Sequence, residues 1–439
     1  MIKSLIAIAI LFLLSACTLQ KQVWISDWKQ AAPLTIQRAG AAAVIDDDVI
    51  YLIGGVDGKD FLATTEYARI RPDGSLGPWK EGSRLNEARG FTDAVVHNGY
   101  LYVVGGGNGP FGHNLLRSVE RAKLQADGTL GPWLKEKNEM MVTRRCTKLV
   151  ATDKALYSFG GFGGVLLDTV ESAQFQKDGS LGEWKLEPEV MTMQRYVNGV
   201  KKLGNNAYVI GGHDQSKGVG VTSVEWSRFG DNGNLQKWQA ASPLQTGRYG
   251  LSTAEYGDYI YAMGGLSGAE YLDSIEKSKI GPNGALGPWQ PTTRMGEARA
   301  NFNTIDYKNW IYIIGGATPN GYLNSVAYAT LNNTGDIGYW GTAAEAEAAK
   351  TKAAALKVQD GEFPNEGVAK EVIQTSGYTY IRVQKDNQSI EWIAGPRMTV
   401  NVNARVRYTK GVYMSNFHSK ELKRTFTGVL FVGQVQKVE

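Results

Sequence analysis

Six times along this chain of 439 residues an arginine precedes a Gly-Gly pair by sixteen positions. Arg38, Arg89, Arg144, Arg195, Arg248 and Arg299 stand before pairs that begin at Gly54, Gly105, Gly160, Gly211, Gly264 and Gly315. A tyrosine sits three residues before every pair, at Tyr51, Tyr102, Tyr157, Tyr208, Tyr261 and Tyr312. Glu66, Glu120, Glu171, Glu225 and Glu276 follow, each thirteen residues before a tryptophan (Trp79, Trp133, Trp184, Trp238, Trp289). The sixth unit keeps Trp340 but has Ala327 in place of the glutamate. A supersecondary unit of this size cannot bury its apolar face alone, so its copies must pack on one another, and six in register predict a closed ring of repeated sheets.

Each unit reads as four strands. A short apolar run after the arginine, such as Ala41 to Ile45, passes through a polar turn (Asp46 to Asp48, or Asn98-Gly99) into the tyrosine run that ends at Gly-Gly. The glutamate segment ends in Asp73-Gly74, Asp127-Gly128, Asp178-Gly179, Asn232-Gly233 or Asn283-Gly284, which supply the positive φ of a tight hairpin into the tryptophan strand. Thr334-Gly335 is the weaker sixth copy. A Tyr-x-x-Gly-Gly strand, a Glu strand and a Trp at this period resemble the kelch repeat, which implies an all-β, six-bladed β-propeller over residues 17–341. Trp28 is a further tryptophan before the first arginine, so residues 24–34 are expected as the outer strand of the last blade, closing the ring without a free edge; Trp340 competes for that place.

The beginning of the chain reads as an export signal over residues 1–16: Lys3, an apolar run from Leu5 to Leu14, then Leu14-Ser15-Ala16-Cys17. This resembles the lipobox of bacterial lipoproteins, which implies cleavage before Cys17 and a lipid on its sulfur. Thr18 after the cysteine implies outer-membrane sorting and an extracytoplasmic envelope lipoprotein. Only Cys146 then remains, so no intramolecular disulfide is possible.

Residues 342–361 turn to Ala, Glu and Lys, predicting a helical linker. Residues 362–439 alternate again in Val368 to Ile373, Tyr378 to Val383, Ser389 to Ile393, Val400 to Tyr408 and Val429 to Val435, with Ser376-Gly377 as a turn, which predicts a small five-stranded, OB-like barrel. Gly377 to Ile381, Glu391 to Ala394, Met414 to Lys420 and Arg424 to Phe426 resemble small exported bacterial domains associated with respiratory nitrite reductase and multihaem cytochrome systems. The formal net charge is +4, and from Gly361 onward eleven Lys/Arg face seven Asp/Glu. A basic OB-like barrel raises nucleic acid, but export argues against it and favours phospholipid headgroups, acidic glycans or acidic proteins.

Chemistry-bearing motifs are sparse. A galactose-oxidase-like copper site needs a Cys-crosslinked Tyr and paired His, which one remaining Cys and four His do not supply; no phosphate loop, Cys-pair zinc spacing or Gly-x-Ser-x-Gly elbow occurs. No catalytic residue, metal or cofactor is expected. His113 and His213 fall in loops after Gly-Gly, where they could face a ligand or simply be solvated, while Met414 and His418 lie in what reads as a short polar turn, as packing residues or soft metal ligands. Arginine and glutamate should both emerge at the ring face that carries the variable loops between second and third strands, either pinning each blade or lining a binding mouth. The missing sixth glutamate points to a free guanidinium at Arg299 or its ring neighbour Arg38. The expected function is a lipid-anchored binding or assembly module taking an envelope protein or acidic glycan at that mouth. The alternative is cofactor-independent sugar processing, similar to the six-bladed periplasmic sialic acid mutarotases.

Overall fold

The computed structural model describes residues 23–214, 218–344, 346–348, 363–375, 378–386, 388–419 and 421–438. Cys17, the export signal, the Ser376-Gly377 turn and most of the linker lie outside the described residues; within the linker 343–344 and 346–348 are helical. The chain divides into Trp24–Trp340 and a second unit that contains Gly341–Glu439.

The first unit is a six-bladed β-propeller whose blades are antiparallel sheets in sequence order. Blade 1 comprises Ala42–Asp46, Val49–Ile53, Thr65–Arg69 and Lys80–Glu81. Blades 2 to 5 begin at Asp93, Lys148, Gly199 and Ser252 and repeat the pattern, with second strands buried almost throughout. Interdigitating apolar side chains between neighbouring blades form the core: Ala42, Tyr51 and Ile53 of blade 1 pack with Ala94, Leu101, Val103 and Trp133 of blade 2. Every tyrosine of the repeat lies in a second strand and sends its hydroxyl to the hairpin glycine of the next blade: Tyr51 to the Gly128 carbonyl (2.8 Å), Tyr102 to Gly179 (2.6 Å), and so on to Tyr312, which donates to Gly74 (2.7 Å). The hairpin glycines hold the positive φ that the turn dipeptides predicted, from 71° at Gly335 to 88° at Gly233.

Closure uses both candidate segments. In blade 6, built on Asn303–Tyr307, Trp310–Ile314 and Val326–Leu331, the strand Ile337–Gly341 meets the third strand at its end, Thr330 and Leu331. Lys29–Gln30 then takes the position beside Tyr328 and Ala327 that Lys80–Glu81 takes beside Tyr67 and Glu66 in blade 1. Trp28 accordingly fills the place of the repeat tryptophan. Its indole donates to the Arg294 carbonyl of blade 5 (2.8 Å), as Trp133 of blade 2 donates to Ser83 of blade 1 (3.0 Å). Val23–Ser26 flanks Ile337–Gly341 on the outside.

The second unit carries a seven-stranded sheet in which Asn365–Gln374 pairs with Tyr378–Gln384 on one side and Arg405–Tyr408 on the other. Tyr378–Gln384 leads on through Ile390–Pro396 to Arg424–Val432 and Gly411–Ser419; Ile390–Pro396 and Arg424–Val432 run parallel. The expected five strands become seven because two long strands are interrupted, at 409–410 and at 433–434. Met414 and His418 do not lie in a polar turn: both belong to the strand Gly411–Ser419, which pairs along Arg424–Val432 in one constant register, with Asn416 at a positive φ of 50°.

Candidate ligand groove at the propeller mouth

The six predicted arginines lie inside the blades, between 0 and 2% exposed. Each donates through Nη1 to the carbonyl of the first glycine sixteen residues on, from Arg38 to Gly54 (2.8 Å) through Arg299 to Gly315 (2.9 Å). Their backbone carbonyls face the preceding blade, where Arg89 accepts from Gly55 (2.9 Å) and Arg38 accepts from Gly316 (2.8 Å). A Cβ on Gly54 would stand 2.4 Å from the Arg89 carbonyl oxygen, which, with φ of 63°, explains the first glycine of the pair. Five guanidiniums pair with the glutamate of their own blade: Arg38–Glu66, Arg89–Glu120 (2.9 Å), Arg144–Glu171 (2.9 Å), Arg195–Glu225 (2.8 Å) and Arg248–Glu276 (2.7 Å). Burial pushes these arginine pKa values down while the glutamates push them back up. Arg38 therefore has no free fork, and Arg299 meets Glu297 of its own loop.

Two residues after each arginine the chain reaches the throat of the ring. Gly40, Phe91, Cys146, Val197, Gly250 and Asn301 all have positive φ, between 47° and 62°. Their backbones hydrogen-bond from blade to blade: Phe91 N–H to Gly40 (2.6 Å), Cys146 to Phe91 (2.7 Å), Gly250 to Val197 (2.7 Å), Asn301 to Gly250 (2.8 Å) and Gly40 to Asn301 (2.8 Å). No motif announces this ring, because only two of its six positions are glycine; the constant offset from the arginine was the available signal. The cavity at the throat measures about 40 Å³, room for a few waters. Burial pushes the Cys146 thiol up to about 11, so it is protonated and inert.

One residue after each arginine the mouth is asymmetric. Blades 3, 4 and 5 place Arg145, Tyr196 and Tyr249 there, bridged to Phe162, His213 and Leu266; blades 6, 1 and 2 place Ala300, Ala39 and Gly90, bridged to Ala317, Val56 and Gly107. The small half opens into a groove of about 770 Å³ between the loops of blades 6, 1 and 2, within the ~300–1,000 Å³ usual for ligand sites. Phe61, Phe91, Phe111 and Tyr322 line it together with Lys59, Asp60 and Asn108. Phe61 packs where a Cβ on Gly90 would come within 2.9 Å of its ring, and Phe111 is 89% exposed. Arg145 anchors the blade 2 loop by donating to the Gly112 carbonyl (3.0 Å), and Asn108 donates to Ala88 (2.8 Å).

Neither predicted histidine is among the groove-lining residues. His113 is exposed beside Phe111, with ring centroids 6.1 Å apart, whereas His213 stands between Tyr196 and Tyr249 at 5.8 and 4.9 Å. On the other side of the throat the channel holds about 340 Å³ and is lined by inner strands. Lys201 of blade 4 spans it to Asp306 of blade 6 (2.7 Å), and burial raises the pKa of Glu255 and of Asp93. His418 Nδ1 lies 2.9 Å from Thr425 Oγ1, and no cluster of three or more His, Cys, Asp or Glu able to hold a metal occurs among the described residues.

Blade count, repeat register and mouth define a six-bladed propeller built from kelch repeats. The Kelch motif pattern matches residues 37–67 and 88–121, in blades 1 and 2. The chain is 22% identical over 300 residues to the Kelch-like protein terF of Aspergillus terreus, covering 64% of this chain and 61% of terF. It is 28% identical over 205 residues to the Kelch repeat protein M-T8 of Myxoma virus (46% and 37% covered). It is 32% identical over 117 residues to the human Kelch-like protein 13 (26% and 17% covered). The chain thus spans less than two thirds of each of these relatives. Among solved structures, YjhT matches with a TM-score of 0.58 at 16% identity, covering 71% of this chain and 99% of YjhT.

Proposed function

We propose that this protein is an extracytoplasmic binding or assembly module of the bacterial envelope, anchored through a lipid on Cys17, and that its propeller takes an envelope protein in the groove between blades 6, 1 and 2. The observation that carries this reading is the aromatic lining, with Phe111 exposed at the rim and Phe61 and Phe91 on the floor. Large aromatics concentrate binding energy in protein interfaces. Lys59 and Asp60 are the charged side chains lining the groove, and they offset each other, which favours a protein partner over an acidic glycan. The second unit, in our reading, is an OB-like barrel: the interrupted strand 405–419 supplies one end of the sheet order through Gly411–Ser419 and the strand next to its other end through Arg405–Tyr408.

Cross-linking in intact cells followed by mass spectrometry tests this. Phe111→Ala should lower partner recovery by at least tenfold, about 1.4 kcal/mol or more, without changing the melting temperature. Cys17→Ser should release the protein from membranes or leave its signal uncut. Unchanged recovery in Phe111→Ala would move the site elsewhere. Faster anomer equilibration of a free sugar by the wild type, lost in groove variants, would replace this reading with sugar processing.

A further inference from the structure

In blades 1 to 5 the glutamate does more than meet the arginine. Its carboxylate also accepts from the loop two and three residues before that arginine: Glu120 from the Asn86 and Glu87 amides (2.8 and 3.1 Å), Glu171 from Met141 and Val142 (2.6 and 3.2 Å), Glu276 from Gln245 and Thr246 (2.7 and 3.0 Å). Glu66 repeats this with Thr35 and Ile36, and Glu225 takes the Thr192 amide and hydroxyl (2.7 Å each). The fold therefore builds a carboxylate cradle from two amides and a guanidinium in blades 1, 2, 3 and 5, and from one amide, a hydroxyl and a guanidinium in blade 4.

Blade 6 keeps the cradle and loses the carboxylate. Ala327 is buried and pairs with Ile313 and Gln30 as Glu66 pairs with Leu52 and Glu81. Arg299 still donates to Gly315 (2.9 Å) and to Ser325 Oγ (3.2 Å). Among the described residues, neither the Gly296 nor the Glu297 amide finds an acceptor. A Cβ on Gly296 would meet nothing within 4 Å, so the loop is open there. The Arg299 guanidinium is met by Glu297, whose side chain is 49% exposed and holds its place against solvent.

We propose that blade 6 carries a site for an external carboxylate, received by the Gly296 and Glu297 amides and Arg299 in place of the side chain that Ala327 lacks, with Glu297 swinging out to solvent. The same chemistry serves a free small acid or the Asp or Glu side chain of a partner. It stands independently of the aromatic groove.

Thermal melting of the full protein in acetate, against chloride at equal ionic strength, tests the site. Acetate should raise the wild-type melting temperature saturably. Glu297→Gln, which weakens the competing contact, should lower the half-saturating acetate about threefold, since the Glu297 side of the pair is half exposed to solvent. Ala327→Glu should melt higher than wild type and lose the acetate response, because the cradle supplies its own carboxylate. Acetamide and N-acetylglutamine amide, which are neutral, should have no effect, and a blocked glutamate (N-acetyl, C-terminal amide) that reproduces the acetate shift assigns the site to partner side chains, whereas a shift by acetate alone assigns it to small acids. An acetate shift of equal size in all three proteins, or none in wild type and Glu297→Gln, overturns the proposal.

Discussion

A buried guanidinium is stabilised by the carboxylate and carbonyls that answer its donors. Glu171 is fully buried and takes the Arg144 guanidinium and two amides together, so Glu171→Ala leaves an uncompensated charge and should cost about 3–5 kcal/mol in urea unfolding. Arg69→Ala, which breaks the largely exposed Arg69–Asp48 pair, should cost under ~1 kcal/mol. Asp93 gives the opposite sign. Burial is the largest influence on it and raises its pKa, ahead of Lys148 at 3.9 Å and the Leu149 amide. A raised carboxyl binds protons more tightly folded than unfolded, so the fold loses stability as pH rises above the ordinary aspartate value of about 3.9. Asp93→Asn should therefore gain on wild type through that range, and the two should converge below it, as read from melting temperatures between pH 3 and pH 8.

At the scale of the strand, Lys29 and Gln30 at the ladder and the Trp28 indole close the part of blade 6 that Ile337–Gly341 does not reach. Deleting 23–30 exposes the edge at Ala327 and Tyr328 and removes Trp28 from its packing against blade 5 and blade 6 residues, a loss of about 3 kcal/mol or more that should appear as earlier melting and aggregation. The Trp28 register was legible in the sequence because its flanks match those of the other repeat tryptophans. What was not legible is that Ile337–Gly341 shares the outer position, since pairing along different lengths of one strand leaves no mark in residue type. The arginine repeat was equally plain, but its depth was not: charge pattern places arginine at a surface, and only the carbonyls and carboxylates that three separate segments bring to it make burial affordable. The aromatic groove escaped for a related reason. Phe61, Phe91, Phe111 and Tyr322 come from three loops and a throat position with no common spacing.

For the whole molecule, six near-identical blades with one asymmetric mouth separate what holds the ring from what could be recognised by it. The hydroxyl belt from Tyr51 through Tyr312 is the same at every joint, so Tyr312→Phe, at the joint between last and first blades, should cost the ~1 kcal/mol of one hydrogen bond, as Tyr102→Phe should at an interior joint. A much larger loss at Tyr312, measured by chemical denaturation, would show that the ring opens there first.

Lys29 and Gln30 answer strand residues nearly three hundred positions downstream, at Tyr328 and Ala327. The first segment of the propeller to emerge from a ribosome or a translocation channel is thus the last that can find its place. Until blade 6 has been delivered, it remains an unsatisfied strand, and the first blade presents an apolar flank to whatever lies nearby. Its sequence separation gives this contact a large loop-closure entropy to overcome. A chain that folded in order of synthesis would hold its earlier blades as an open arc until blade 6 arrived, and that gap is where a holding chaperone would bind.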